Sequence, residues 1–174
     1  KYKYEVDLDT FHVSQFIYEN GGTLLSADNK SAAFNTPEAV QGYQFYTDLV
    51  LKSKVGIAWT TDQGEAMQGI KDGRIAMFSN GPYFMGLLKS GAPEMAGQWR
   101  VATHPYSKGP GSYLGGTGLV IPATSKNQSA SWTFIQFLLR PENALGVYTY
   151  AGAAPALLQA VNNQAVDKQD DYFG

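Results

Sequence analysis

Strict alternation comes first along the chain: Tyr2-Lys3-Tyr4-Glu5-Val6-Asp7-Leu8 repeats at period two and predicts a strand with one buried face. Thr10 can cap a following helix that carries Phe11, Phe16, Ile17 and Tyr18, and Asn20-Gly21-Gly22 supplies positive-φ positions to end it. Residues 23–26 and 32–34 flank the turn formers Asp28-Asn29-Lys30 and predict a small hairpin. Thr36-Pro37-Glu38 then combines a hydroxyl cap, a proline at the first helical position and an acid in the first turn, so a helix should run to about Leu51. Its Val40, Tyr43, Tyr46, Leu49 and Val50 recur at helical spacing, widened by Phe45, and form the expected core face.

Strand and helix alternate further on. Residues 62–71 read as a helix ended by Asp72-Gly73, residues 74–79 as a strand, and residues 82–89 as another helix. Residues 99–103 and 118–121 read as strands around a Gly/Pro-rich loop. A helix from about Ser129 is apolar all round, with Trp132, Phe134, Ile135, Leu138 and Leu139; a second, from Pro141-Glu142, should reach about Tyr150, and residues 155–162 a last one. The order implies an α/β layer architecture, helix-rich around a small mixed sheet.

Composition narrows the function. At 174 residues the chain has the length of one ordinary domain. A net charge of −2 gives no basic footprint for nucleic acid, and no Lys/Arg run suggests binding to an anionic membrane. There is no cysteine, which excludes thiolate catalysis, disulfides and cysteine-bound zinc. No apolar run approaches the roughly 20 residues of a membrane span. The start at Lys1, directly on a strand-like stretch, and the polar end read as a piece of something longer.

Candidate chemistry is sparse. His12 and His104 have no metal-pair spacing and read as surface or loop histidines. There is no G-x-S-x-G elbow or phosphate loop, and Gly116-Thr117-Gly118 opens a β-like run instead of a helix, so a dinucleotide site is rejected. Asp7 with Asp9, and Asp62 with Glu65, are acid pairs of a kind that could serve glycoside hydrolysis, though such spacings are common among solvated surface acids. Tyr43, Tyr46, Phe134 and Phe137 read as packing; Trp59, Tyr83 and Tyr113 lie in or beside Gly/Pro/Thr-rich connections, where a ring can face a cleft.

Five stretches, in order, carry a resemblance: "FIYENGGTLLSADNKSAAFNTPEAVQGYQFYTDLV", "IKDGRIAMFSNGPYF", "WRVATHPYSKGPGSYLGGTGLVIPATSKN", "SWTFIQFLLRPENA" and "AGAAPA". Together they resemble the extracytoplasmic solute-binding proteins of ABC importers, in the carbohydrate-binding group that includes maltose-binding protein. The resemblance covers nearly the whole chain and implies the C-terminal lobe, residues 1–174, of a two-lobed periplasmic-binding-protein fold whose N-terminal lobe is not in this sequence.

By that resemblance Asp9 matches a carboxylate accepting sugar hydroxyls and Phe11 an aromatic beside it. Tyr83, in "NGPYF", matches an aromatic stacked on a sugar ring. Gly115, Gly116 and Thr117 match backbone near the ligand, and Trp59 to Asp62 a loop that reaches it. A pyranose has an apolar CH face that gains burial on an aromatic plane, and its hydroxyls need directional partners. The resemblance further implies no enzymatic activity, no cofactor, a small carbohydrate ligand, ABC permease subunits as partners, and a monomer. It places the protein in the periplasm or outside the cell, with any membrane association through the permease or a lipid anchor. A binder of a non-sugar solute, or a glycan-acting enzyme, stays open as an alternative.

Overall fold

Lys3–Asp7 form β1, followed by α1 (Thr10–Glu19), α2 (Pro37–Leu51), β2 (Gly56–Trp59), α3 (Gln63–Lys71), β3 (Ile75–Met77), α4 (Tyr83–Gly91), α5 (Gln128–Leu138), α6 (Pro141–Ala151) and α7 (Leu158–Val161). These come from a computed structural model that describes residues 3–59, 63–162 and 170–173. The chain forms two compact units, one from Lys1–Asn80 and Val101–Leu114, the other from Gly81–Arg100 and Gly115–Gly174.

In the first unit β1 lies between β2 and β3, both parallel to it, with Asp7 opposite Trp59 and Lys3 opposite Ile75. The helix-rich α/β expectation holds, but the sheet is parallel, not mixed. Helical crossovers return the chain to the same end each time, which is what parallel pairing requires. The expected hairpin reduces to one antiparallel bridge, Leu25 with Ala32. β2 was not expected, and it places Trp59 at a strand end instead of in a loop.

Tyr4 and Val6 alternate onto the core face of β1, where Val6, Val13, Phe16 and Tyr46 cluster and Phe16 packs on Tyr46 with ring centroids 4.7 Å apart. Thr36 caps α2 as expected, but its buried face is Ala39, Gly42 and Tyr46, while Val40, Tyr43 and Phe45 are exposed. Close approach of α1 explains the difference. A Cβ on Gly42 would lie 2.6 Å from the Phe16 carbonyl oxygen and 2.8 Å from the Ile17 Cα, so glycine alone fits without a shift.

The second unit centres on α4, where Phe84, Leu88 and Ala92 are buried with Tyr172 and Phe173. The Tyr172 hydroxyl donates to the Ala92 carbonyl at 2.7 Å. α6 ends at Gly152, which has a φ of +69°, and a Cβ there would sit 3.0 Å from the Gly86 nitrogen; the two glycines let α4 and the end of α6 touch backbone to backbone. α5 and α6 carry no buried residue, and Phe134 and Phe137, expected to pack, are exposed. Residues 99–103 and 118–121 are coil instead of strand; Val120 is 84% exposed, and among the described residues no strand pairs with either stretch. The last helix is confined to Leu158–Val161.

Candidate functional site

Because β2 lies on one side of β1 and β3 on the other, the chain reverses its direction of growth across the sheet at β1. The carboxyl end of such a strand opens a crevice between diverging connections. Asp7 is the last residue of β1, and Asp9, at φ −122° and ψ 170°, caps α1 two residues later. Asp9, not Thr10, is the cap. Its Oδ1 accepts the Phe11 and His12 N–H groups, each at 2.9 Å, satisfying two of the helix's orphan donors.

The same carboxylate fixes the His12 side chain. His12 Nδ1 lies 2.9 Å from both Asp9 oxygens, so Nδ1–H donates to that carboxylate and Nε2 is held on the far side of the ring. His12 is only 9% exposed, contrary to the surface position expected of it. Its Nε2 is buried, has no hydrogen-bond partner among the described residues, and faces Asp7 Oδ2 at 3.4 Å. Glu5 shares the Asp7 face of β1 by strand alternation; it is 6% exposed, and among the described residues its Oε2 also lacks a hydrogen-bond partner.

These carboxyls are tuned apart. Burial, reinforced by the Asp7 charge and opposed by His12, pushes Glu5 up to about 7. Burial also raises Asp7, against His12 and with Asp9. For Asp9, burial is outweighed by hydrogen bonds from the His12 backbone and ring, which hold it below the usual carboxylate range.

Phe11 projects from the first turn of α1, 58% exposed, and its ring lies 5.5 Å from Tyr113 at an interplanar angle of 31°. Tyr113 also meets the His12 ring edge-on at 6.2 Å, and its hydroxyl is raised by burial and by the Asp9 and Asp7 charges. The loop that brings Tyr113 here lies flat on α1: a Cβ on Gly111 would fall 2.7 Å from Tyr18 Cβ, and Lys108 N–H donates to the Glu19 carbonyl at 2.9 Å. His104, half-buried, fastens the loop through Nδ1 to the Glu19 carboxylate at 2.8 and 2.9 Å. Glu19 in turn accepts from Gln15, which accepts from Ser79.

Asp9 and Phe11 are therefore brought together, with Tyr113 beside them, and Trp59 ends the strand paired with Asp7. Asp62 lies outside the described residues. Tyr83 opens α4 in the second unit, 42% exposed, with its ring lying where a Cβ on Gly81 would be 3.0 Å away. Gly115, Gly116 and Thr117 are exposed coil of that unit. Sequence reasoning missed Glu5 and His12. The signal for His12 was available: an acid at the cap and a histidine three residues on have the spacing of reciprocal capping.

Residues 7–173 match the bacterial extracellular solute-binding proteins. The chain belongs to that family. A probable ABC transporter-binding protein of Deinococcus radiodurans is 27% identical over 157 residues, covering 88% of this chain and 37% of that protein. An ABC transporter solute-binding protein from Thermotoga lettingae, solved with α-D-tagatose bound, is 29% identical at a TM-score of 0.86, covering 98% of this chain and 45% of that one. The GacH receptor of Streptomyces glaucescens, solved unliganded and with acarbose, is 26% identical at a TM-score of 0.80, with 95% and 45% covered. This solute-binding chain thus spans less than half the length of these relatives.

Proposed function

We propose that the chain is the C-terminal lobe of a carbohydrate-binding protein of an ABC importer, acting outside the cytoplasmic membrane as a monomer, by itself or on a lipid anchor, and handing its ligand to the permease. The observation that carries this reading is the exposed Phe11 ring beside the Asp9 carboxylate at the carboxyl end of the central strand. An apolar plane next to a charged acceptor is the pairing a sugar ring needs. Asp9 Oδ1 is occupied by two backbone donors, whereas among the described residues Oδ2 is engaged by His12 alone and keeps capacity for a sugar hydroxyl. The relatives' tagatose and acarbose support a saccharide ligand. By the resemblance, Trp59, Asp62, Tyr83, Gly115, Gly116 and Thr117 would also touch the ligand. An Asp9 held ionised suits an acceptor of hydroxyl bonds better than the proton donor a glycan-acting enzyme needs. Among the described residues no helix is long and apolar enough to cross a membrane.

The test is a thermal-shift panel on the intact protein with tagatose, maltose, maltotriose, acarbose, a polyamine and a peptide, followed by calorimetry on any hit. A saccharide at a hundredfold excess over its Kd should stabilise by about 2.7 kcal/mol. Stabilisation by the polyamine or peptide, with every sugar inert, would overturn the reading.

A further inference from the structure

We propose that Asp7 and His12, with Asp9 as the positioning residue, form a site for a divalent transition-metal cation of the zinc class at the carboxyl end of β1. Its test needs no sugar, and it stands whether or not the carbohydrate reading does.

Distance comes first. Zinc binds imidazole nitrogen and carboxylate oxygen at about 2.0–2.2 Å, and two such bonds at the tetrahedral angle set their donor atoms about 3.4 Å apart. His12 Nε2 and Asp7 Oδ2 are 3.4 Å apart. That separation leaves Nε2 without a hydrogen bond among the described residues although it is buried, so a histidine only 9% exposed turns its second ring nitrogen toward a carboxylate. One donor atom from each of Asp7, Asp9 and His12 lies within 4.8 Å of the other two.

Orientation and charge agree. A metal-bound histidine almost always donates its other ring N–H to a carboxylate, which fixes the tautomer and strengthens the ligand; Asp9 does this to Nδ1 at 2.9 Å. Glu5, on the same strand face as Asp7, adds a buried carboxyl whose Oε2 has no hydrogen-bond partner among the described residues. Two carboxylates, Asp7 and Asp9, thus flank one imidazole, and among the described residues no lysine or arginine forms an ion pair with either. A divalent cation balances that charge where a proton on one imidazole cannot. A donor set with imidazole nitrogen selects zinc-like ions over calcium or magnesium, which take oxygen. Water completes the coordination.

The experiment is calorimetric titration of Zn²⁺ into the chelator-stripped intact protein, repeated with Co²⁺ to read the visible bands of a low-symmetry site. One ion should bind per chain with a Kd of about 10 µM or tighter. His12→Gln and Asp7→Asn should each weaken binding at least tenfold. Asp9→Asn should do the same, because an amide donating to Nδ1 moves the ring proton to Nε2. His104→Gln should leave binding unchanged. Asp7 is less buried than His12, so Asp7→Asn decides the matter should His12→Gln fail to fold. Retained binding in Asp7→Asn, loss in His104→Gln, or several weak sites indifferent to these changes would overturn the proposal.

Discussion

Replacing Asp9 by alanine and by asparagine separates what this carboxylate does for folding from what it does for ligands. Alanine removes the cap from α1, which costs about 0.5–2 kcal/mol. It also strands the His12 Nδ1–H in a side chain only 9% exposed, a desolvated donor worth about 1–3 kcal/mol. Together these give a loss of about 3 kcal/mol, or roughly 6–12 °C in Tm for a domain of this length. Asparagine keeps an oxygen for the Phe11 and His12 N–H groups and caps as well as aspartate. Its amide donates to Nδ1, the imidazole takes its other tautomer, and Nε2–H turns to Asp7. Asp9→Asn should therefore stay within about 1 kcal/mol of wild type. Its sugar affinity should still fall at least about tenfold, since hydrogen bonds to a charged acceptor contribute about 1.5–3 kcal/mol. Denaturant melts give the first quantity and calorimetry with the saccharide hit the second. Equal destabilisation by both substitutions, or an alanine variant within 0.5 kcal/mol of wild type, would refute the assignment of Asp9 as cap and histidine partner.

Other expectations follow from neighbouring features. Gly42→Ala should destabilise by about 2 kcal/mol or more although alanine favours helix by about 1 kcal/mol, because its Cβ meets α1 backbone; a more stable variant in denaturant melts would contradict the packing. Tyr83→Ala should lose about 1–3 kcal/mol of sugar binding by calorimetry with little change in Tm, and Tyr83→Trp should keep or improve affinity; an early-melting Tyr83→Ala that binds normally would remove Tyr83 from the site. Glu5 titrates near 7 when folded but at the ordinary 4.5 when unfolded, so the unfolded chain releases its proton first. In chelator, stability should thus fall as pH rises from about 4.5 to about 7, by up to about 3 kcal/mol, and then level. Glu5→Gln should flatten that profile in melts at pH 5 and pH 8, and an unchanged slope would show that Glu5 is not its source.

Elements with local signals were legible in the sequence. α2 begins where Thr36-Pro37-Glu38 says it must, and β1 lies within its alternating stretch. What escaped depended on neighbours. Val40 and Tyr43 look like core at helical spacing, yet α1 comes so near that Ala39 and Gly42 take the interior positions. Val101 and Val120 sit in strand-like stretches but have no ladder partner among the described residues. Gly56-Ile57-Ala58-Trp59 is too short to stand out and becomes a strand because β1 is there to receive it. The Asp9 and Phe11 positions followed from the resemblance, whereas the burial of His12 and Glu5 depends on what closes over β1.

The parallel order of the sheet bears on how the first unit folds. Tyr4 pairs with Gly56 and Lys3 with Ile75, so β1 waits for partners roughly 50 and 70 residues away, whereas α1 and α2 meet across the nearer connection of residues 20–36. Loop closure over such separations is slow, and the helical pair can form first as a platform. On that order the end of β1 would be completed on the native side of the folding barrier. A sugar bound there should slow unfolding and leave the refolding rate untouched, which stopped-flow chevrons with and without saccharide would read directly.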